Sequence, residues 1–157
     1  MTAIVLDTTP LGLLTHPRNP PHAATCRQWL SDLIAAGRRI LIPEIADFEI
    51  RRELLLNNNV RSIALLDQLC SQSEYVPITT LAMRIAAGMW ADARKAGLPT
   101  SANQRLDGDV ILAAQATAMN IAFITATGNP AHLSRYVPSE LWSNIVPYAL
   151  PPCLKLF

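Results

Sequence analysis

Two hydrophobic patterns alternate along this 157-residue chain. Short unbroken apolar runs rich in β-branched residues, at Ala3–Leu6, Arg39–Pro43, Tyr75–Ile78 and Ile121–Thr125, read as strands buried on both faces. Between them, apolar residues recur at helical spacing. Ala24, Trp29, Leu30, Leu33 and Ile34 mark a helix over Ala23–Ala36 that Gly37 stops. Pro10 opens a short helix over Leu11–Leu14, Glu44–Asn57 runs to an Asn-Asn-Asn turn, and Val60–Cys70 follows. Thr79 or Thr80 caps a helix reaching Gly97, which Gly97 and Pro99 end. The segments His16–His22, Leu98–Arg105 and the polar stretch up to Tyr136 are expected to be loops, and Ser143–Leu150 an edge strand that accommodates Pro147.

This alternation predicts one three-layer α/β/α domain spanning 1–157 around a central parallel sheet, with right-handed crossovers. The stretch from Leu106 to Thr127 organises the rest. Asp107 is placed to cap a helix and Asp109 to sit in its first turn, where unpaired N–H groups and the positive dipole end attract carboxylates. From Asp109 to Met119 this helix carries no further charge, and Ala113, Ala114, Ala116 and Ala118 allow close approach to a sheet, so it is expected to be buried on most sides.

Composition narrows the functional classes. A formal charge of +1 with 16% charged residues gives no bulk basic field for nucleic acid, although a local patch can still hold a backbone. Cys26, Cys70 and Cys153 lack metal-ligand spacing and read as reduced, packed thiols, which suits a cytoplasmic protein. The first residues have no basic leader and carry Asp7 within their apolar run, so no targeting segment is expected. Polar Gln115, Thr117 and Asn120 interrupt the charge-free span from Val110 to Ala126, which argues against a membrane crossing.

Topology makes a sharper prediction. Asp7 ends a strand, Glu49 lies early in a helix that follows a strand, and Asp109 starts a helix running back along the sheet. All three belong at the sheet's carboxyl edge, with Thr125, Thr127 and Asn129, where open parallel sheets bind ligands. Carboxylates gathered there without matching basic residues repel one another. A hard divalent cation, magnesium or manganese, relieves that repulsion, and the chemistry such an ion supports is phosphodiester hydrolysis.

Four blocks of the sequence, DTTPLGLL at Asp7–Leu14, IPEIADFEIRREL at Ile42–Leu54, DGDVILAAQA at Asp107–Ala116 and TGNPAHLSRY at Thr127–Tyr136, resemble those of PIN-domain ribonucleases, in the same order. Within that family the pattern is similar to the VapC-type toxin nucleases and their plain PIN-domain relatives. The resemblance implies Asp7 as first acid with Thr9 as a neighbouring hydroxyl, Glu49 rather than Glu44 or Asp47 as second, and Asp109 as third. Asp107 corresponds to an extra acid. Being two residues from Asp109, it points to a different side, so it caps the helix or holds a water of the ion's shell. Asn129 stands where many members have a fourth acid, which leaves a single ion better supported than two. The implied function is a Mg²⁺- or Mn²⁺-dependent ribonuclease, acting on RNA, with an antitoxin partner and a homodimer as expected assemblies.

The remaining candidates have ordinary readings. Arg51 and Arg52 beside Glu53 suit a solvated helix face, His132 lacks a second histidine or cysteine at ligand spacing, and His16 and His22 lie among prolines. Trp29, Trp90 and Trp142 read as packing residues. A phosphatase or receiver-like domain would also gather acids at this edge, but it needs a lysine after a later strand, and Lys95 and Lys155 do not supply one. A PIN-like protein-binding module without catalysis is the other alternative.

Overall fold

The computed structural model describes residues 1–98 and 107–148. Five strands, β1 (Ala3–Leu6), β2 (Ile40–Pro43), β3 (Glu74–Val76), β4 (Phe123–Thr127) and β5 (Ser139–Leu141), form one sheet in the order β3-β2-β1-β4-β5. Every neighbouring pair is parallel. All residues of β1 and β2 are buried, as expected of strands covered on both faces. The covering helices are α1 (Thr8–Leu14), α2 (Pro21–Ala35), α3 (Glu44–Leu56), α4 (Val60–Gln72), α5 (Thr80–Lys95), α6 (Gly108–Ala118) and the one-turn α7 (Pro130–Leu133). The result is the expected three-layer α/β/α architecture.

Strand order fixes the place of the site. From β1 the chain adds β2 and then β3 on one side, and only afterwards β4 and β5 on the other. The β1–β4 crevice is therefore the topological switch point, where parallel sheets open at their carboxyl ends. Leu6 pairs with Ala126, so the next residues on each strand, Asp7 and Thr127, meet at that opening.

Helix α6 is the wall behind it. Val110 to Ala116 are seven consecutive buried residues, as its charge-free, alanine-rich sequence predicted. Gln115, polar yet 1% exposed, has a structural reason to be there. Its Oε1 accepts from the Ile45 N–H at 3.1 Å, and its Nε2 donates to the Val76 carbonyl at 2.7 Å. Helix α3 begins after Pro43 with no side-chain cap, so Gln115 satisfies one of its orphan amides across the core.

Several boundaries differ from the sequence expectation. The segment Ser143–Leu150 is no strand over its described part. The edge strand is instead Ser139–Leu141, followed by one 3₁₀ turn at Trp142–Asn144. Two tryptophans hold the chain off the sheet here. Trp142 meets Trp29 edge-on at 5.4 Å, and the Trp29 indole N–H donates to the Ile145 carbonyl at 2.9 Å. Strand β4 lies two residues later than expected because Asn120, at φ 52, turns the chain out of α6 first. Thr125 consequently pairs with Val5 inside the sheet and is buried, its hydroxyl without a partner, instead of standing at the edge. Helix α2 takes Pro21 and His22 into its first turn, which proline at the first helical position favours. The expected loop at 99–105 and Cys153 lie outside the described residues.

Candidate functional site

Asp7 is held from both sides. Its N–H continues the β1–β4 ladder to the Ala126 carbonyl at 3.0 Å, fixing the backbone one residue beyond the strand. As the N-cap of α1 it accepts the Thr8 N–H on Oδ1 at 2.7 Å. Its Oδ2 accepts the Thr127 hydroxyl at 2.6 Å, and Thr127 Oγ1 in turn accepts the Asn129 N–H at 3.1 Å. A buried carboxylate with a donor fixed on each oxygen keeps one orientation. Thr8, at 3.4 Å, is the hydroxyl that approaches Asp7 from its own helix. Thr9 lies against Gly128, where an added Cβ would come within 2.6 Å of it.

Glu49 comes from α3, two turns after β2, and its carboxyl lies on the first residue of α6. A Cβ built on Gly108 would fall 2.0 Å from Glu49 Oε1, so only glycine leaves room for that carboxyl. Residues on either side of Gly108 are acids. Asp107 is the N-cap, accepting the Val110 N–H on Oδ1 at 3.2 Å, and Asp109 occupies the first turn. The other acids of α3 are engaged elsewhere. Glu44 accepts the Ile78 N–H at 2.5 Å, and Asp47 accepts from Arg51 and from the Tyr75 hydroxyl.

Electrostatics ties these segments together. Burial pushes the Glu49 carboxyl above its ordinary pKa, Arg52 opposes this, and the charges of Asp7, Asp109 and Asp107 add to the rise. Asp109 is likewise raised by burial and then by Asp7 and Asp107, while His132 and Arg135 pull it down. Burial first, and like charges beside it, produce this behaviour, which clusters where a ligand is to supply the missing charge. The acids are not wholly without cations, as the sequence suggested. Arg52 serves Glu49, and His132 Nδ1 stands 4.0 Å from Asp109 Oδ2. Both basic neighbours of Asp109 come from α7 and the residues just after it, a proximity set by the β4–β5 connection and invisible in residue spacing. Asn129 is exposed on the rim.

Among the described residues no three acids, histidines or cysteines already enclose a point where an ion would sit. The donor set nonetheless fits a hard cation, since all its side chains offer oxygen and the neighbouring basic groups leave both Glu49 and Asp109 with raised pKa values. Magnesium in particular is commonly held by one or two carboxylates with waters completing its shell. Asp7, Glu49 and Asp109 are the side chains that would hold it.

Comparison with known sequences gives a match between residues 4–136 and the PIN domain. The chain belongs to the PIN domain family. The matched region contains all four blocks, from β1 through the segment after α7. No functionally curated protein matches the sequence significantly. Solved structures with the same fold include VapBC2 from Rickettsia felis bound to a DNA fragment from its promoter, at a TM-score of 0.67 and 18% identity over 88% of this chain and 98% of that one. VapBC-1 from nontypeable Haemophilus influenzae aligns at 0.68 with 16% identity, over 91% and 100% of the two chains. FitAcB from Neisseria gonorrhoeae aligns at 0.63 with 18% identity, over 90% and 99%. At these identities the likeness is one of fold, and in this PIN domain the switch-point crevice carries the acids.

Proposed function

We propose that this PIN domain is a divalent-metal-dependent ribonuclease that hydrolyses RNA phosphodiester bonds. The observation that carries the reading is the seating of the Glu49 carboxyl on Gly108, between Asp107 and Asp109, within the electrostatic reach of Asp7. Asp7 and Asp107 cap helices, but capping does not require that they stand together with Glu49 and Asp109, brought from three distant segments to one place. When bound, Mg²⁺ or Mn²⁺ would lower the pKa of a water and offset charge on the phosphate and leaving oxygen.

The protein's share is placement. Asp7 is pre-oriented by Thr8 and Thr127 to present a carboxylate at the crevice, and Asp109 presents a second from the start of α6. Glu49 either holds the ion with them or accepts a proton from the attacking water, a role its raised pKa suits because a base nearer neutrality transfers protons more effectively. Asp107 is spent on capping α6 and keeps the helix start rigid beneath Glu49. Asn129 stands on the rim to position a water, and its neutrality favours one ion over two.

A toxin role within a toxin–antitoxin pair is the finer reading, supported by the fold this chain shares with VapBC and FitAcB structures. Exposed Phe48, Tyr75 and Ile78 line a cavity of about 480 Å³ with Ile45 and the charged Glu44, Asp47 and Arg51, a mixed surface suited to a protein partner. A homodimer is the expected assembly, and among the described residues no helix is long and apolar enough to cross a membrane. The test is single-turnover cleavage of unstructured RNA across a Mg²⁺ and Mn²⁺ titration, with wild type and Asp7→Asn folded equally by circular dichroism. Ion-dependent cleavage lost in the variant supports the enzyme. Equal cleavage by both, or full activity in excess chelator, overturns it, and no cleavage by either favours the protein-binding module.

A further inference from the structure

A second charged cluster lies outside the acidic site. The loop that follows α1 and the first halves of α2 and α4 enclose a cavity of about 240 Å³ lined by His16, Arg18, Asn19, Arg27, Arg61 and Leu65 among others. Three arginines and a histidine meet there with no Asp or Glu in the lining. On a chain of formal charge +1, that is a concentrated positive field.

Arg27 builds the cavity. Its guanidinium donates to the His16 carbonyl at 2.6 Å, to the Arg18 carbonyl at 3.2 Å, and to the Asn19 side chain. All three acceptors are neutral, so the loop is fixed while the charge of Arg27 stays uncompensated. His16 Nδ1 is occupied by the Arg18 backbone, with the Arg18 N–H at 3.1 Å. The Arg18 and Arg61 guanidiniums make no hydrogen bond or ion pair with any described residue. This contrasts with Arg39 and Arg51, which are paired to Glu74 and to Asp47 and Asp67. Two free guanidiniums beside a rigid, positively charged loop offer forked donors to an oxyanion.

The cavity also lies on the functional side of the sheet. Helices α2 and α4 lead into β2 and β3, which run parallel to β1, so both helices travel toward the sheet's amino edge and begin on its carboxyl side. Arg61 is in the first turn of α4. The loop itself is separated from Asp7 by α1, seven residues long, or about 10 Å. We infer that this cavity binds a backbone phosphate of the RNA whose scissile bond lies at the acidic crevice, anchoring the strand a few nucleotides from the cut.

The inference rests on the ribonuclease reading for the identity of the strand, but its test does not need cleavage. Binding of a fluorescent, 2′-O-methylated 12-nucleotide RNA is measured in excess chelator across a KCl series, for wild type and for the Arg18→Gln/Arg61→Gln double variant. Both side chains are exposed and unpartnered, so the variant should retain the wild-type circular dichroism spectrum and thermal midpoint. Each lost phosphate contact flattens the slope of log K against log[KCl] by about 0.7, so a loss of about 0.7 is expected for the one phosphate held here, with affinity down roughly tenfold at the lowest salt. An unchanged slope, or no RNA binding by wild type, overturns the proposal. A parallel titration uses inorganic phosphate alone. Tight phosphate binding lost in the variant, with an unchanged RNA slope, would assign the cavity to a free anion and overturn the RNA assignment. Failure of the nuclease reading shows instead as RNA bound with wild-type salt dependence but never cut in the presence of either ion.

Discussion

Asp47 and Glu49 are two residues apart on the same helix and have opposite circumstances. Asp47, 8% exposed, is bound by Arg51 at 2.9 Å and by the Tyr75 hydroxyl at 2.8 Å. Its charge is answered within the fold. Glu49 is half-buried, sits on Gly108 among Asp107, Asp109 and Asp7, and has its pKa raised by burial and by their charges. A carboxylate paired inside the fold contributes to stability, whereas one grouped with like charges is a liability that only a ligand removes. Helix geometry makes the division possible, because residues two apart face different directions. Asp47 turns toward β3 and α4, Glu49 toward α6.

The largest effects should separate these two acids. Asp7→Asn and Glu49→Gln should lower single-turnover RNA cleavage by at least about 10²-fold, as removal of preorganised charge at a reacting centre does, with the thermal midpoint unchanged or raised. Asp47→Ala should do the reverse. It leaves the Tyr75 hydroxyl and one side of Arg51 without their acceptor, costing roughly 2 kcal/mol in urea denaturation while cleavage at saturating ion stays near wild type. Loss of cleavage in Asp47→Ala without loss of stability would erase the distinction.

Gly108→Ala is a finer probe. The new methyl collides with Glu49 Oε1, so the carboxyl must move and cleavage should fall about 10- to 100-fold. Alanine is the better helix former, so stability should hold or rise by up to about 1 kcal/mol. Thr127→Val removes the hydroxyl that orients Asp7 Oδ2 and should weaken Mn²⁺ affinity about tenfold. Restoration of that affinity in Thr127→Ser would show the hydrogen bond, not packing, to be responsible.

The pH dependence of stability is the mildest expected effect. Glu49 and Asp109 have folded-state pKa values raised above their unfolded ones, so between those values the unfolded chain binds fewer protons than the native protein. Their contribution is fully present below the unfolded carboxylate range and is lost as pH rises through the folded values. Ion-free protein should therefore lose stability in urea denaturation as pH rises through that window, and saturating Mg²⁺ should reverse the loss. Glu49→Gln should flatten the slope, whereas a slope unchanged in that variant would show that Glu49 is not part of the strained group.

Much of this was legible in the sequence, and the reasons for the rest are physical. A buried strand ending in Asp7, a charge-free helix opened by Asp107 and Asp109, and a parallel α/β order sufficed to predict the sheet and to place three acids at one edge. The family resemblance favoured Glu49 over Glu44 and Asp47, and the structure puts each of the other two against partners of its own. The Thr127 bond to Asp7 spans 120 residues and depends on the β1–β4 register, which no local pattern encodes. Gly108 reads as one more glycine until the helix packing that seats Glu49 on it is known. Strand β5 is only three residues long, too short to carry a period, so the longer apolar run beyond it was the misleading signal. Gln115 looked like an interruption in an apolar run because its two partners, at Ile45 and Val76, belong to other elements.

The central claim is that Asp7, Glu49 and Asp109 together hold a divalent ion that Asp47 does not touch. Mn²⁺ binding read by electron paramagnetic resonance of the free ion, on wild type, Asp7→Asn and Asp47→Asn at equal folded concentration, tests it most directly. The account predicts one site in wild type, at least tenfold weaker binding in Asp7→Asn, and wild-type affinity in Asp47→Asn. Equal Mn²⁺ affinity in wild type and Asp7→Asn, or its loss in Asp47→Asn alone, would contradict it.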